Sequence, residues 1–347
     1  MTVIDILRAR RRIAPYVRPT PLVHSTWLSE LAGARVWLKL ESLQLSSSFK
    51  SRGAFNAVIA RLERGTVPGR PLVTASAGNH GRALAAAAEL FRVPLVVFTP
   101  ADAPQTKLAA IRRHRAELRA EGRDYDHAER LARTFAEEHG AEFVSPYNDA
   151  DVIAGAGTIA FEIFEDVPTV DTLVVPIGGG GLISGVAAAA RAIAPAHRCV
   201  GVEVEASHPF LTGTRAGRLV PITPGPTLAD GLAGNPEPDT ITFGLIQQSV
   251  HEIVTVSEED LEAAVAGLVE HEHVITEGAG ATATAAIVGQ RLALDGRSVA
   301  VIVSGGNIDI ARLAAVLRSE ADRAGAAGLR AEARSAKAGG AGRAPVR

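Results

Sequence analysis

Cysteine occurs once in the 347 residues, at Cys199, so neither an internal disulfide nor a multi-cysteine metal site can form. That excludes disulfide-stapled secreted scaffolds and zinc ribbons, and the chain reads as cytoplasmic. An excess of charge of one sign is also lacking. The 36 basic and 38 acidic residues leave a formal net charge of −2, which offers no electrostatic handle for nucleic acid or an anionic membrane. No apolar run approaches the roughly 18 residues of a membrane-spanning helix, and the opening ten residues have no apolar stretch of the kind an export signal carries. Lysine is the scarcest charged residue: Lys39, Lys50, Lys107 and Lys337 stand against thirty-two arginines. Where positive charge alone suffices, this chain uses arginine. Each lysine is therefore a candidate for chemistry that needs an amine able to lose its proton and attack a carbonyl.

What is present is a 47% hydrophobic composition, enough for a sizeable core, in a chain long enough for one large α/β unit or two packed lobes. A short helix is predicted over 4–12 and a strand over 36–40. From residue 70 the text alternates: strand 72–74, helix 81–91, strand 93–98, helix 107–117, helix 126–139, strand 142–144 and a helix from 153 to about 165. Further strands are predicted at 172–176, 199–203 and 299–303. Alternation of this kind implies parallel sheets. The last 29 residues, 319–347, hold ten alanines and five glycines with almost no large apolar side chains, so a disordered, solvated tail is predicted there.

Four motifs carry chemistry. In Ser46-Ser-Ser-Phe-Lys50-Ser-Arg-Gly-Ala, hydroxyls precede a lysine at a predicted helix start, where the helix dipole disfavours the charged ammonium. An ordinary surface lysine is the alternative reading of so short a signal. Thr74-Ala-Ser76-Ala-Gly78-Asn79-His80-Gly81 is a turn between a strand and a helix whose small residues let backbone N–H groups converge on a carboxylate or phosphate. Val175-Pro-Ile-Gly178-Gly-Gly-Gly181-Leu182 is a glycine run after a strand and before a helix. It suits phosphate binding by main-chain amides, but lacks the Gly-Lys-Ser/Thr of a P-loop and the spacing of a dinucleotide fingerprint. Val303-Ser304-Gly-Gly-Asn307 ends the last strand with a hydroxyl in a glycine turn.

Taken in this order, Ser-Phe-Lys-x-Arg-Gly-Ala, Ser-Ala-Gly-Asn-His, Gly-Gly-Gly-Gly-Leu and Ser-Gly-Gly-Asn resemble the serine/threonine ammonia-lyase and serine racemase branch of the fold-type II pyridoxal-phosphate enzymes. The resemblance runs from about residue 13 to 317. It implies a two-lobed α/β fold like the tryptophan synthase β chain, open parallel sheets covered by helices. The large lobe would be formed by 1–69 and 148–318 and the small one by 70–147, with pyridoxal 5'-phosphate between them.

By the same resemblance Lys50 is the Schiff-base lysine and Phe49 its neighbour on the pyridine ring, while Asn79 bonds the ring oxygen. Gly178, Gly179, Gly180, Gly181 and Leu182 hold the phosphate, and Ser304 faces the pyridine nitrogen. Ser76, Ala77, Gly78, Asn79 and His80 receive the substrate carboxylate. Glu203, Ser207 and Glu277 are the candidates for a monovalent or divalent cation site, although racemase-like members place an aspartate where this chain has Pro209. Tyr147, Asn148 and Asp230 are pocket-wall positions without an assigned role.

A hydroxyl rather than an aspartate opposite the pyridine nitrogen leaves the ring largely neutral and favours β-elimination over transamination. The implied reaction is removal of the Cα proton by Lys50 and loss of a β-hydroxyl, with the cofactor phosphate as the acid. The enamine then hydrolyses to a 2-oxo acid and ammonia. Threonine or serine is the default substrate, and a homodimer or higher homo-oligomer is implied. Ser47 replaces a usual glycine and Ala156 a usual glutamine, which leaves hydroxyaspartate, phenylserine or an ectoine-pathway derivative open as substrates, and serine racemisation as an alternative activity. The chain has no room for the C-terminal regulatory domain of biosynthetic threonine deaminases, so isoleucine feedback through such a domain is not expected. Of the other classes, a nucleotide-dependent oxidoreductase rests on the glycine run alone and would not need Lys50. A binding protein that had lost catalysis would lack the lysine or the phosphate loop.

Overall fold

A computed structural model describes residues 1–67, 69–323 and 325. In chain order the first elements are α1 (Val3–Ile13), β1 (Leu22–Ser25), α2 (Thr26–Ala32), β2 (Arg35–Leu40), α3 (Lys50–Arg64), β3 (Leu72–Ala75) and α4 (Asn79–Leu90). Then come β4 (Leu95–Pro100), α5 (Gln105–Arg112), β5 (Glu117–Gly122), α6 (Tyr125–His139), β6 (Glu142–Phe143), α7 (Ala150–Asp166), β7 (Thr172–Pro176) and α8 (Gly181–Ile193). The remainder are β8 (Arg198–Val204), α9 (Pro209–Ala216), α10 (Ile241–Ser249), β9 (Glu252–Val256), α11 (Glu258–Glu272), α12 (Gly278–Val288), β10 (Ser298–Val303) and a helix α13 over 310–323.

The strands form two sheets, one ordered β1-β2-β10-β7-β8-β9 and one ordered β5-β4-β3-β6, and every pairing except β1 with β2 is parallel. The central strands β7 and β10 are buried at every residue, as parallel strands covered by helices on both faces require. The smaller sheet draws its core from further upstream than its own strands: Ala54, Phe55 and Val58 of α3 pack in one cluster with Leu72, Leu84 and Val97. Among the described residues no helix is long and apolar enough to cross a membrane.

Three predicted elements are corrected. The helix over 107–117 ends at Arg112, and Glu117 opens β5, held by pairing with β4. The strand predicted from 93 begins at Leu95, because the Val93 N–H closes the end of α4 by bonding the Ala88 carbonyl. Residues 319–323, expected in a disordered tail, continue α13, with Ser319 and Arg323 bonded to Glu262. Residues 324 and 326–347 lie outside the described residues.

Beneath α3 lies a buried ionic lattice. Arg52, 1% exposed, donates twice to Glu41 on one side and twice to Glu162 of α7 on the other, with Thr158 and Thr20 taking further bonds. Lys39 of β2 donates to Glu162 and to the Thr20 carbonyl, both at 2.6 Å. Guanidinium suits this place because its planar fork serves two carboxylates at once. The lattice pins the first turn of α3, and hence Lys50, to β2 and α7.

Candidate active site

Lys50 opens α3, whose N-terminus has no side-chain cap. Its Nζ donates to the Pro146 carbonyl at 2.8 Å and lies 5.0 Å from the centre of the Phe49 ring. Removal from water pushes its pKa down to about 8, with Glu277 pulling the other way. Such an amine is poised to exchange its proton near neutral pH. Phe49 is fixed in turn, since its N–H donates to the Ser304 carbonyl at 3.1 Å.

The second motif forms the turn from β3 into α4. Ser76 Oγ accepts the Gly78 N–H at 3.2 Å, and Gly78 starts α4 with no side-chain cap, so Asn79 and His80 lie in an uncapped first turn. His80 is buried, with no side-chain partner and the Val144 carbonyl against its ring. Burial, reinforced by the charge of Lys50, pushes its pKa down to about 3, so the imidazole is neutral. A buried neutral imidazole with no side-chain partner, beside an uncapped helix start, has room for a polar guest.

Asn79 is the junction of the site. Its Nδ2 donates to Glu277 Oε1 at 2.5 Å, while its Oδ1 accepts from Asn307 Nδ2 at 2.7 Å. Asn307 also donates to the Ser46 carbonyl and accepts from Arg82, so one asparagine ties the first, second and fourth motifs together. Its place in the Ser-Gly-Gly-Asn turn was visible in the sequence, but its partners were not. Glu277 is half-buried, and removal of its carboxylate from water pushes its pKa up to about 7, with Asn79 opposing. Ser304 Oγ donates to the Ala279 carbonyl at 3.3 Å.

The third motif leaves β7 and enters α8. Gly180 has φ +85°, a left-handed conformation open to glycine, and α8 also starts without a side-chain cap. Of the other helices α1, α2, α6, α7, α10 and α11 are each capped by a side chain, while α5, α9 and α12 have no cap from their N-cap residue. Tyr147 lies against the glycine run so closely that a Cβ at Gly179 would overlap its ring. Because Lys50 bonds Pro146, the lysine and the glycine run are joined through two consecutive residues.

The cation candidates have separate partners. Glu203 is buried with its pKa pushed up to about 7, and its two oxygens accept the N–H groups of Phe210 and Leu211 at the start of α9. Ser207 exchanges hydrogen bonds with Gly234, and Glu277 serves Asn79. Among the described residues no group of three or more His, Cys, Asp or Glu is placed to hold a metal ion. Both Glu203 oxygens thus serve a helix start, and position 209 carries a proline rather than a carboxylate. Asp230 pairs with Lys107 at 2.8 Å, across from α5 to the loop after α9. Asn148 is spent on Glu237 and on the Ile241 N–H. Ala156 is buried within α7.

A desolvated lysine, an uncapped glycine loop beyond a central strand and a hydroxyl-bearing turn at the end of the neighbouring strand suit an enzyme that holds an aldehyde cofactor with a phosphate tail. The uncapped starts of α3, α4 and α8 and the buried neutral imidazole fit such a group. The chain belongs to the pyridoxal-phosphate dependent enzyme family, whose profile matches residues 13–305. It is 42% identical over 310 residues to an L-threonine ammonia-lyase of Thermotoga maritima, covering 89% of this chain and 76% of the relative. It is 37% identical over 318 residues to an L-threo-3-hydroxyaspartate ammonia-lyase of Saccharomyces cerevisiae, covering 92% and 97%. Its fold is similar to the crystal structure of a serine racemase from Dictyostelium discoideum, with a TM-score of 0.83 at 32% identity over 89% of this chain and 99% of the other.

Proposed function

We propose that this chain is an ammonia-lyase that uses pyridoxal 5'-phosphate to eliminate the β-hydroxyl of L-threonine or L-serine, releasing a 2-oxo acid and ammonia. The observation that carries the reading is the desolvated Lys50 amine, with a pKa near 8, at the meeting point of three uncapped helix starts. Bound there, the cofactor would supply an electron sink for the Cα carbanion. Gly178 to Leu182 would hold its phosphate by main-chain N–H groups and the positive end of α8. Phe49 and Ser304 would bracket the ring, and Asn79, oriented by Asn307 and Glu277, would present its amide to the ring oxygen.

The substrate carboxylate would sit on the Ser76–His80 turn, where neutral His80 adds hydrogen-bonding capacity without a competing charge. Lys50 would take the Cα proton at Nζ, its lowered pKa keeping a working fraction unprotonated near neutral pH. In this reading the site lies between a lobe formed by 1–69 and 148–318 and one formed by 70–147. The enzyme is a cytoplasmic homo-oligomer.

L-threo-3-hydroxyaspartate is the second substrate to weigh, because a relative with that activity covers nearly the whole chain. The test is 2-oxo acid release by the purified holoprotein from L-threonine, L-serine and L-threo-3-hydroxyaspartate, with borohydride reduction and peptide mapping of the labelled lysine. Label on Lys39 or Lys107, or full turnover in Lys50→Ala, would refute the assignment. Turnover of hydroxyaspartate far above threonine would move the substrate. Light scattering reads the oligomeric state.

A further inference from the structure

The glycine run has neither lysine nor arginine within it, so its hold on a phosphate depends on where its peptide N–H groups point. Two contacts fix that direction. Tyr147 fills the space on one side of Gly179, and Thr242 Oγ donates to the Gly179 carbonyl at 2.9 Å. Because a trans peptide sets C=O and the following N–H in opposite directions, holding the Gly179 carbonyl on Thr242 turns the Gly180 N–H the other way.

Both contacts trace back to one residue in the loop between α9 and α10. The Glu237 N–H donates to Tyr147 Oη at 3.0 Å. Its carboxylate, 14% exposed, accepts from Ser145 Oγ at 3.1 Å and Asn148 Nδ2 at 2.8 Å, and pairs with Arg133 of α6 at 2.8 Å. Asn148 then accepts the Ile241 N–H at 3.0 Å, and Thr240 shares a hydrogen bond with Thr242 at 2.8 Å. The Tyr147–Gly179 packing contact, these bonds and the chain step from Ile241 to Thr242 close a ring from Gly179 through Tyr147, Glu237, Asn148 and Thr242 back to Gly179.

We propose that Glu237 is a positioning residue that clamps Tyr147 and Thr242 onto the glycine run, and so sets how long the cofactor phosphate stays bound. The inference rests on the reading of Gly178–Leu182 as the phosphate seat. Glu237 touches neither cofactor nor substrate. It acts by holding the loop in the shape that a phosphate dianion needs, and it draws Arg133 of α6 and the residues after β6 into that hold.

The test is the off-rate of pyridoxal 5'-phosphate from borohydride-untreated holoprotein, read as cofactor transferred to an excess of a trapping apoenzyme. Glu237→Ala is expected to raise the off-rate about tenfold to a hundredfold, the size of losing hydrogen bonds to a charged group. Tyr147→Phe, which leaves the carboxylate cluster intact, should raise it by a smaller factor and keeps the question answerable if Glu237→Ala does not fold. The double variant should release cofactor no faster than Glu237→Ala, since the main-chain N–H that Tyr147 Oη accepts lies in the loop that the Glu237 carboxylate holds in place. Off-rates within twofold of the unmodified protein in both single variants, or factors that multiply in the double variant, would overturn the proposal while leaving the phosphate seat standing. Failure of the unmodified protein to take up the cofactor would overturn both.

Discussion

Replacing Arg52 by methionine isolates the energetic role of the lattice under the lysine-bearing helix. Arg52 and Glu41 are 1% and 0% exposed, and Arg52 contributes both of the charged contacts that Glu41 has. Glu162 would keep Lys39 at 2.6 Å after the change, but Glu41 would be left with Thr20 Oγ alone. Stranding one buried carboxylate costs about 3–5 kcal/mol, a large fraction of the roughly 5–15 kcal/mol by which a protein is stable. The assay is urea denaturation of the apoprotein, comparing midpoints at unchanged slope. Arg52→Met with Glu41→Gln removes both charges, keeps an oxygen for Thr20 and should recover most of the loss. A single variant within about 1 kcal/mol of the parent, well below the cost of stranding a buried charge, would refute the reasoning. So would a double variant no more stable than the single one.

Three further outcomes are expected. Lys50 titrates near 8 in the folded protein against an ordinary 10.5, so between these values only the unfolded chain holds the proton, and apoprotein stability relative to Lys50→Met should rise with pH across that window. His80, held to about 3, gives the acid counterpart: below pH 6.5 the unfolded chain gains a proton the folded one refuses, so stability falls as pH drops toward 3, and His80→Gln should flatten that slope. Ser304→Asp should slow elimination and raise conversion of the cofactor to its amine form, measured by absorbance during turnover; unchanged elimination with no amine form would defeat the electronic argument.

The four motifs that converge on the site were legible because the chemistry they suit admits few residue types, and their fixed order narrows the reading further. Long-range partnership was not legible. Asn307 meets Asn79 and Ser46 from 228 and 261 positions away, and Glu237 meets Tyr147 from 90, through a topology that no local spacing encodes. The strands show the same division. β7 and β10 announce themselves as unbroken apolar runs because both faces are covered, whereas β1, β5 and β9, which the sequence reading passed over, are all edge strands with one flank open. β5 is Glu-Leu-Arg-Ala-Glu-Gly, buried only at Gly122, and its text continues the helical composition of α5. Pairing of Val96 with Glu117 makes it a strand. The partners of Glu203 were not legible either, since nothing in its segment shows that its carboxylate accepts the N–H groups at the start of α9.

Ala77 bears on what happens to the carbanion once it forms. Racemisation needs a second acid–base group on the face opposite Lys50, because a proton taken from one side must be returned from the other. This chain has a methyl group at 77, in the turn between Ser76 and Gly78, and a methyl group can neither give nor take a proton. Of the other groups in the turn, Ser76, whose Oγ accepts the Gly78 N–H, belongs to the proposed carboxylate seat, and His80, with a pKa near 3, carries no proton to spare as an acid. If Lys50 is the one competent base, as the proposed reaction has it, the carbanion regains its proton on the original face or loses its β-hydroxyl. With L-serine, D-serine should form roughly a hundredfold or more slower than pyruvate, the factor a positioned acid–base group supplies. Ala77→Ser should raise D-serine formation and lower elimination. Chiral chromatography beside a pyruvate assay reads both, and D-serine appearing in the parent enzyme at a rate comparable to pyruvate would show that water or another group serves the second face.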